Sequence, residues 1–319
     1  MDVVTAFLNG ECEEELYVEP PPGLELPDGY KKSEFACRLL KALYGLKQAP
    51  RLWQKKLASV LQDLGYKPIL ADHCIFRNKN TGIIICIYVD DFLLVGHKGT
   101  DLDQIKQDLA KRFEMKDLGP CEYFLGIRIV RDRKDRTITL VQDAYIDKIL
   151  GKFNMTKCHG VATPMDPGIR ALMTPFDGTA SKDDIELYQS IVGSEMYLGT
   201  QTRPDITYAL SVLSRFLSNP SPVHIKAALR VLQYLSTTRI VGIRFGGATK
   251  PTLHGFSDSD YGGDYDTRRS TSGYVFLLAG GPISWRSKRQ TVVALSSTEA
   301  EYYALSFAVR EALALCYLF

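Results

Sequence analysis

No two of the seven cysteines (Cys12, Cys37, Cys74, Cys86, Cys121, Cys158, Cys316) are spaced CxxC. A zinc site is therefore not indicated, and an odd count argues against a disulfide framework. Unpaired thiols fit a reducing intracellular compartment, cytoplasmic or nuclear. Long apolar runs are missing as well. The most apolar stretch, residues 83–89, meets Asp90 and Asp91 at once, and is too short and too charged at its end to span a bilayer. The opening MDVVTAFLNGECEEE lacks the basic and apolar regions of a secretory signal. No internal repeat appears at periods of about 20–50 residues. Residues 1–30 contain no Lys or Arg at all.

The chain has 319 residues, 45% hydrophobic and 24% charged, with a mean hydropathy of −0.10. These are values of a globular protein, with length for about two domains and for a large core without staples. The net charge of +2 gives no reason to expect nucleic acid. The local balance does. Residues 1–30 carry Asp2, Glu11, Glu13, Glu14, Glu15, Glu19, Glu25 and Asp28, a charge of about −8. Residues 31–60 carry Lys31, Lys32, Arg38, Lys41, Lys47, Arg51, Lys55 and Lys56 against Glu34, about +7. Such a juxtaposition suits a metal site beside a phosphate-binding face. Two solvated surfaces of opposite sign are the simpler account of it, and on charge alone the preferred one.

Pro20-Pro21-Pro22-Gly23 excludes helix and central strand. After Pro50 a helix follows, with Trp53, Leu57, Val60, Leu61 and Leu64 on one face and Gly65 at its C′ position. Residues 83–89 read as a buried strand and 92–95 as its hairpin partner. Leu102, Ile105, Leu109 and Phe113 mark a helix. Residues 123–130 and 136–141 read as a second hairpin, and Tyr145 to Phe153 as another helix. Residues 156–183 form a long loop. Three helices follow, at about 184–199, from Pro204 to Asn219, and at about 222–237. Short strands are expected at 252–257, 274–278, 283–286 and 292–296, and a helix from Thr298 onward.

Two adjacent carboxylates, Asp90 and Asp91, sit on the turn of the first hairpin. Held together they repel, and a cation would keep both ionised. Magnesium, a hard ion served by oxygen ligands, is the natural choice, and two-metal phosphoryl transfer needs such a cluster. Asp90 is expected to be the firmer ligand. A solvated Asp-Asp turn explains the pair as well, because Asp is a common turn residue. Asp2 opens a β-prone run and carries no weight alone.

Together these residues resemble the Pol polyprotein of copia-type LTR retrotransposons. The matching stretches, in the family's order, are 2–10 (DVVTAFLNG), 43–50 (LYGLKQAP), 88–91 (YVDD), 113–119 (FEMKDLG), 123–127 (YFLGI), 202–208 (TRPDITY), 257–264 (SDSDYGGD), 268–274 (RRSTSGY) and 294–302 (ALSSTEAEY). YVDD alone is weak; nine collinear stretches over essentially the whole chain are very specific.

The resemblance implies an α+β chain: a partial right-hand reverse transcriptase palm (1–140), a helical thumb or connection (141–250), and a partial ribonuclease H-like α/β domain (251–319). By it, Asp2, Asp90 and Asp91 are the polymerase carboxylates, with Tyr88 beside them. Phe7 matches the aromatic that excludes a ribonucleotide 2′-hydroxyl, so the chain must bend between Asp2 and Phe7. Tyr44, Lys47, Gln48 and Arg51 belong to the segment supporting template and incoming nucleotide. Phe124-Leu125-Gly126 is similar to the primer grip. Asp258 and Glu301 resemble the first carboxylate and the helix-borne glutamate of ribonuclease H. Taken without the family, Phe7 is a core residue, Phe124 lies in a core hairpin, and Thr298-x-x-Glu301 is a capping box. Asp260 and Asp264 read as turn residues and Glu299 as a first-turn helix charge.

The resemblance further implies two Mg²⁺ ions in each intact site, RNA or DNA primer-template and deoxynucleotides as substrates, and capsid or other Pol segments as partners inside a virus-like particle. Relative to the family the chain reads as truncated at both ends, without fingers before Asp2 and without two further ribonuclease H carboxylates. Val4 stands where the family commonly has Lys, and Glu195 where it usually has an apolar residue. The expectation is a fragment of an RNA-directed DNA polymerase with ribonuclease H, the polymerase chemistry curtailed by the missing parts. The alternative is a catalytically dead or domesticated piece that only binds nucleic acid or a partner.

Overall fold

The computed structural model describes residues 1–25, 31–97, 99–247 and 251–318; Asp28, counted above among the acidic residues, lies outside them. The chain divides into two compact units, Met1–Cys121 and Glu122–Tyr317, whereas the sequence suggested boundaries at 140 and 250.

The first unit contains, in chain order, β1 (Asp2–Val3), β2 (Tyr17–Val18), β3 (Cys37–Arg38), α1 (Ala49–Asp63), β4 (Lys67–Pro68), β5 (Ile75–Arg77), β6 (Ile84–Tyr88), β7 (Asp91–Val95), α2 (Asp103–Ala110) and β8 (Met115–Lys116). Six strands form one antiparallel sheet in the order β4-β5-β6-β7-β1-β8, and β2 pairs with β3 separately. α1 forms where the apolar spacing predicts it, burying Trp53, Leu57, Val60 and Leu61. It stops at Gly65, whose φ of +82° suits glycine. With Ile105 and Leu109 of α2, these side chains pack on Phe76, Ile85 and Phe92 of the sheet. The helices cover one face only. β6 therefore buries Ile85 fully while Ile84 and Cys86 stay half-buried, so the uninterrupted apolar run is not a strand buried on both faces.

The second unit contains β9 (Tyr123–Phe124), β10 (Ile127–Asp132), β11 (Thr137–Val141), α3 (Asp143–Lys152), α4 (Lys182–Gln201), α5 (Thr207–Leu213), α6 (Pro222–Thr237), β12 (Ile243–Gly246), β13 (His254–Ser259), β14 (Thr271–Leu278), β15 (Gly281–Arg289) and α7 (Ser297–Leu318). The expected strand 123–130 is broken in two. Leu125 (φ +50°) and Gly126 (φ +76°) make a two-residue turn that folds β9 back on β10. β12, absent from the sequence reading, completes a sheet ordered β12-β11-β10-β9. Helices α3 to α6 enclose the largest core, around Ile146, Tyr188, Ile191, Leu210 and Leu232. The segment from Pro204 to Phe216 begins and ends in 3-10 turns around α5.

β13-β14-β15 form an antiparallel sheet. Pro282 is tolerated because β15 is an edge strand. The strand expected at 292–296 does not form. The Leu295 N–H is taken by the Glu299 carboxylate (2.6 Å) and the Ser296 hydroxyl accepts the Glu299 N–H (3.1 Å). Those groups serve the start of α7 rather than a sheet neighbour. The capping pair of α7 is thus Ser296 with Glu299, in place of Thr298 with Glu301.

Candidate active site

Position in the ladder, before any chemistry, sets Asp2 opposite Asp91. β1 lies between β7 and β8, and Asp2 is the register partner of Asp91 on one side and Lys116 on the other. Val3 and Phe92 point into the helix-covered core, so alternation sends Asp2 and Asp91 to the opposite, open face. The ladder is closed by Val3 N–H donating to the Asp90 carbonyl (2.9 Å) and Phe92 N–H to the Met1 carbonyl (2.8 Å). The three carboxylates are half-buried. Burial, then repulsion from Asp90 and Asp2, pushes the Asp91 carboxyl above its ordinary value, against a smaller pull from the N-terminal ammonium. Among the described residues no three His, Cys, Asp or Glu side chains converge to hold a metal ion. The donors here are hard carboxylate oxygens whose mutual repulsion a divalent cation would relieve, and in that chemical sense they fit one.

The turn joining β6 to β7 consists of Val89 and Asp90. Val89 has φ +58° and Thr5, just past Asp2, has φ +53°. They are the only β-branched residues at positive φ among the described residues, a conformation that is a true outlier for such side chains. The Val89 carbonyl accepts the Trp53 indole N–H at 2.7 Å.

Past Val3 the chain does bend, through Thr5 into a 3-10 turn, Ala6–Asn9. A Cβ on Gly10 would lie 3.1 Å from Leu52 Cβ and 3.2 Å from Trp53 N, so glycine lets this turn lie against α1. Ala42 N–H donates to the Gly10 carbonyl (2.9 Å), bringing residues 42–44 alongside. Phe7 and Tyr44 consequently pack ring to ring, centroids 4.5 Å apart. Gln48 sits at the N-cap of α1. Tyr44, Lys47, Arg51 and Tyr88 are exposed. The acidic and basic segments pair with one another: Glu13 with Lys55, Glu11 with Lys56 (3.6 Å) and Glu15 with Arg38 (3.4 Å). Lys55 is thus engaged, while Lys47 and Arg51 are in no ion pair among the described residues.

Asp258 on β13 and Glu301 on α7 are both exposed. Their elements are tied through Gln290, whose side-chain amide donates to Ser272 Oγ (2.9 Å) and to the Ala300 carbonyl (3.0 Å), and Ser272 is the register partner of Ser259.

The sequence model of the family described as Reverse transcriptase (RNA-dependent DNA polymerase) matches residues 1–167. The chain belongs to the reverse transcriptase family of copia-type retrotransposon Pol polyproteins. It is 44% identical, over 95% of its length, to the retrovirus-related Pol polyprotein from transposon TNT 1-94 of Nicotiana tabacum, and covers 23% of that protein. The corresponding polyprotein from transposon RE1 of Arabidopsis thaliana is 40% identical over 96% of this chain, which covers 20% of it. A putative transposon Ty5-1 protein of Saccharomyces cerevisiae is 38% identical over 98% of this chain, which covers that protein entirely. The chain thus spans about a quarter or less of the two polyproteins.

In this reverse transcriptase chain three buried ionisable side chains outside the carboxylate corner escaped the sequence reading or were read differently. Arg203, in TRPDITY, is 1% exposed. It grips Asp205 with Nε and Nη2 (2.9 and 2.7 Å) and the Thr238 carbonyl with Nη1 (3.0 Å). Asp264, read as a turn residue, is buried between Arg215 (2.9 Å) and Arg289 (2.6 Å). Glu195 does not face solvent. It is fully buried in α4, with both oxygens lacking a hydrogen-bond partner, and burial drives its carboxyl well above the ordinary value. Only an unusual residue in an apolar pattern signalled it.

Proposed function

We propose that the chain is the catalytic part of an RNA-directed DNA polymerase, extending a primer on an RNA or DNA template. The observation that carries this reading is the placement of Asp2 opposite Asp91, with Asp90 on the adjoining turn, on the open face of the sheet. The primer 3′-hydroxyl attacks the α-phosphorus of a deoxynucleoside triphosphate, the new P–O bond forms, and pyrophosphate leaves. Asp2, Asp90 and Asp91 would hold two magnesium ions, which supply charge stabilisation to attacking and leaving oxygens. The protein's own work is positioning. Phe7, braced by Tyr44, forms a rigid aromatic wall for the nucleotide sugar. Lys47 and Arg51 offer cations to template phosphates, with Gln48 at the adjoining helix start and Tyr88 exposed beside the carboxylates. We assign Asp258 and Glu301 to a ribonuclease H-type site, on elements tied together by Gln290.

A second reading, binding of nucleic acid without catalysis, is favoured by the lack of convergence of the carboxylates among the described residues. Primer extension on an oligonucleotide-primed RNA template with Mg²⁺ decides between them. Extension by the natural chain and none by Asp90→Asn, Asp91→Asn supports the polymerase. A folded chain that binds primer-template and never extends it supports the second reading.

A further inference from the structure

We propose that Trp53 is a positioning residue for the turn carrying Asp90 and Asp91, acting through its indole N–H on the Val89 carbonyl; this rests on the polymerase reading above. Val89 at φ +58° is in a conformation strained for a β-branched residue, which persists only where the surroundings impose it. The hairpin ladder reaches only to Tyr88 and Asp91; beyond it the Asp90 carbonyl accepts the Val3 N–H (2.9 Å), and Val89 needs an anchor of its own. Trp53 supplies it. Its ring is 2% exposed, packed edge-on against Phe113 (centroids 5.1 Å, 77°) and fixed in the first unit's core. Its N–H reaches out of that core to Val89 at 2.7 Å. The rigid helix thus holds the strained peptide, and the strained peptide sets where the two aspartates leave the sheet. Thr5, also β-branched and at positive φ, lies three residues past Asp2. Strain is thereby concentrated on both sides of the carboxylate corner, as expected where surroundings dictate a functional geometry.

A buried indole N–H finds a partner in most proteins for its own sake, so the test must separate positioning from mere satisfaction. Trp53→Phe keeps an aromatic ring in the core and removes the N–H together with the five-membered part of the indole. Two quantities are read on the full chain: amide hydrogen exchange over 86–93, and affinity for Mn²⁺ measured by electron paramagnetic resonance. Trp53→Phe is expected to speed exchange at the turn, not along α1, and to weaken Mn²⁺ binding about five- to tenfold, the worth of one hydrogen bond. Val89→Gly, which tolerates positive φ without cost, is expected to recover most of that loss in the Trp53→Phe background. Unchanged turn exchange in a folded Trp53→Phe protein overturns the proposal, as does unchanged Mn²⁺ affinity where Asp90→Asn, Asp91→Asn does weaken Mn²⁺ binding. If turn exchange responds but Asp90→Asn, Asp91→Asn binds Mn²⁺ as well as the natural chain, the ion site fails. Control of the turn by Trp53 then stands, and its role in catalysis falls.

Discussion

Asp2 and Asp91 stand directly opposite each other on adjacent antiparallel strands, two like charges where a cross-strand pair ordinarily has attraction or packing. Like charges so placed destabilise by about 0.2–1 kcal/mol. The Asp91 carboxyl is raised above its ordinary 3.8, so its contribution to stability is full below that value and is lost as pH rises through the folded-state value. In buffer with chelator, Asp2→Asn is expected to gain about that 0.2–1 kcal/mol at neutral pH and to flatten the loss. Thermal unfolding between acid and neutral pH measures it. Added Mg²⁺ should stabilise the natural chain and leave Asp2→Asn almost unmoved.

Glu195 should be a liability. Its carboxyl has no hydrogen-bond partner in an apolar core, a situation costing about 1–3 kcal/mol by mutational measures. Glu195→Met is expected to raise the urea midpoint by a corresponding amount without changing the slope. The raised value means that stability is present in acid and lost as pH rises through it. Glu195→Gln should abolish that loss. Equal midpoints for Glu195 and Met at every pH would refute the account.

Asp264 should behave in the opposite sense. Burial raises its carboxyl, but Thr267, Arg289 and Arg215 outweigh that and hold it below the ordinary value. Its stability is therefore present above the ordinary value and is lost as pH falls through the lower folded-state value. Asp264→Asn leaves two guanidiniums unpaired and is expected to cost about 3–5 kcal/mol at neutral pH. The deficit should shrink in acid, and chemical denaturation at two pH values tests this.

On the proposed polymerase reading, Glu11, Glu13 and Glu15 compete with nucleic acid for Lys56, Lys55 and Arg38. Replacing Glu11, Glu13 and Glu15 by Gln frees Lys55, Lys56 and Arg38. Duplex binding should tighten several-fold at low salt, and the slope of log K against log salt should steepen by about 0.9 for each further phosphate neutralised. Lys47→Ala with Arg51→Ala should weaken binding uniformly across sequences. Fluorescence anisotropy across a salt series reads both.

Much of the fold was legible because it follows local patterns. The spacing of Trp53, Leu57, Val60 and Leu61 dictated α1, and the run ending at Asp90-Asp91 dictated the β6–β7 hairpin. The bend before Phe7 followed from strand alternation, once the family resemblance put Phe7 on the same side as Asp2. Periodicity did not reveal β12, whose partner β11 lies over 100 residues away in sequence, because pairing at that distance leaves no local mark. It also promised a strand at 292–296, where backbone groups instead cap α7.

The sequence by itself determined the family, the identity of the candidate carboxylates, and most helices, since these rest on residue type, order and spacing. Only the tertiary structure decided that Asp91, rather than Asp90, faces Asp2, because register belongs to the whole sheet. It alone decided that Arg203, Asp264 and Glu195 are buried, two with partners and one without. Burial depends on what packs around a side chain from distant parts of the chain. The hydrogen bond from Trp53 to Val89 is of the same kind: it joins residues 36 apart in sequence through a core that must first assemble.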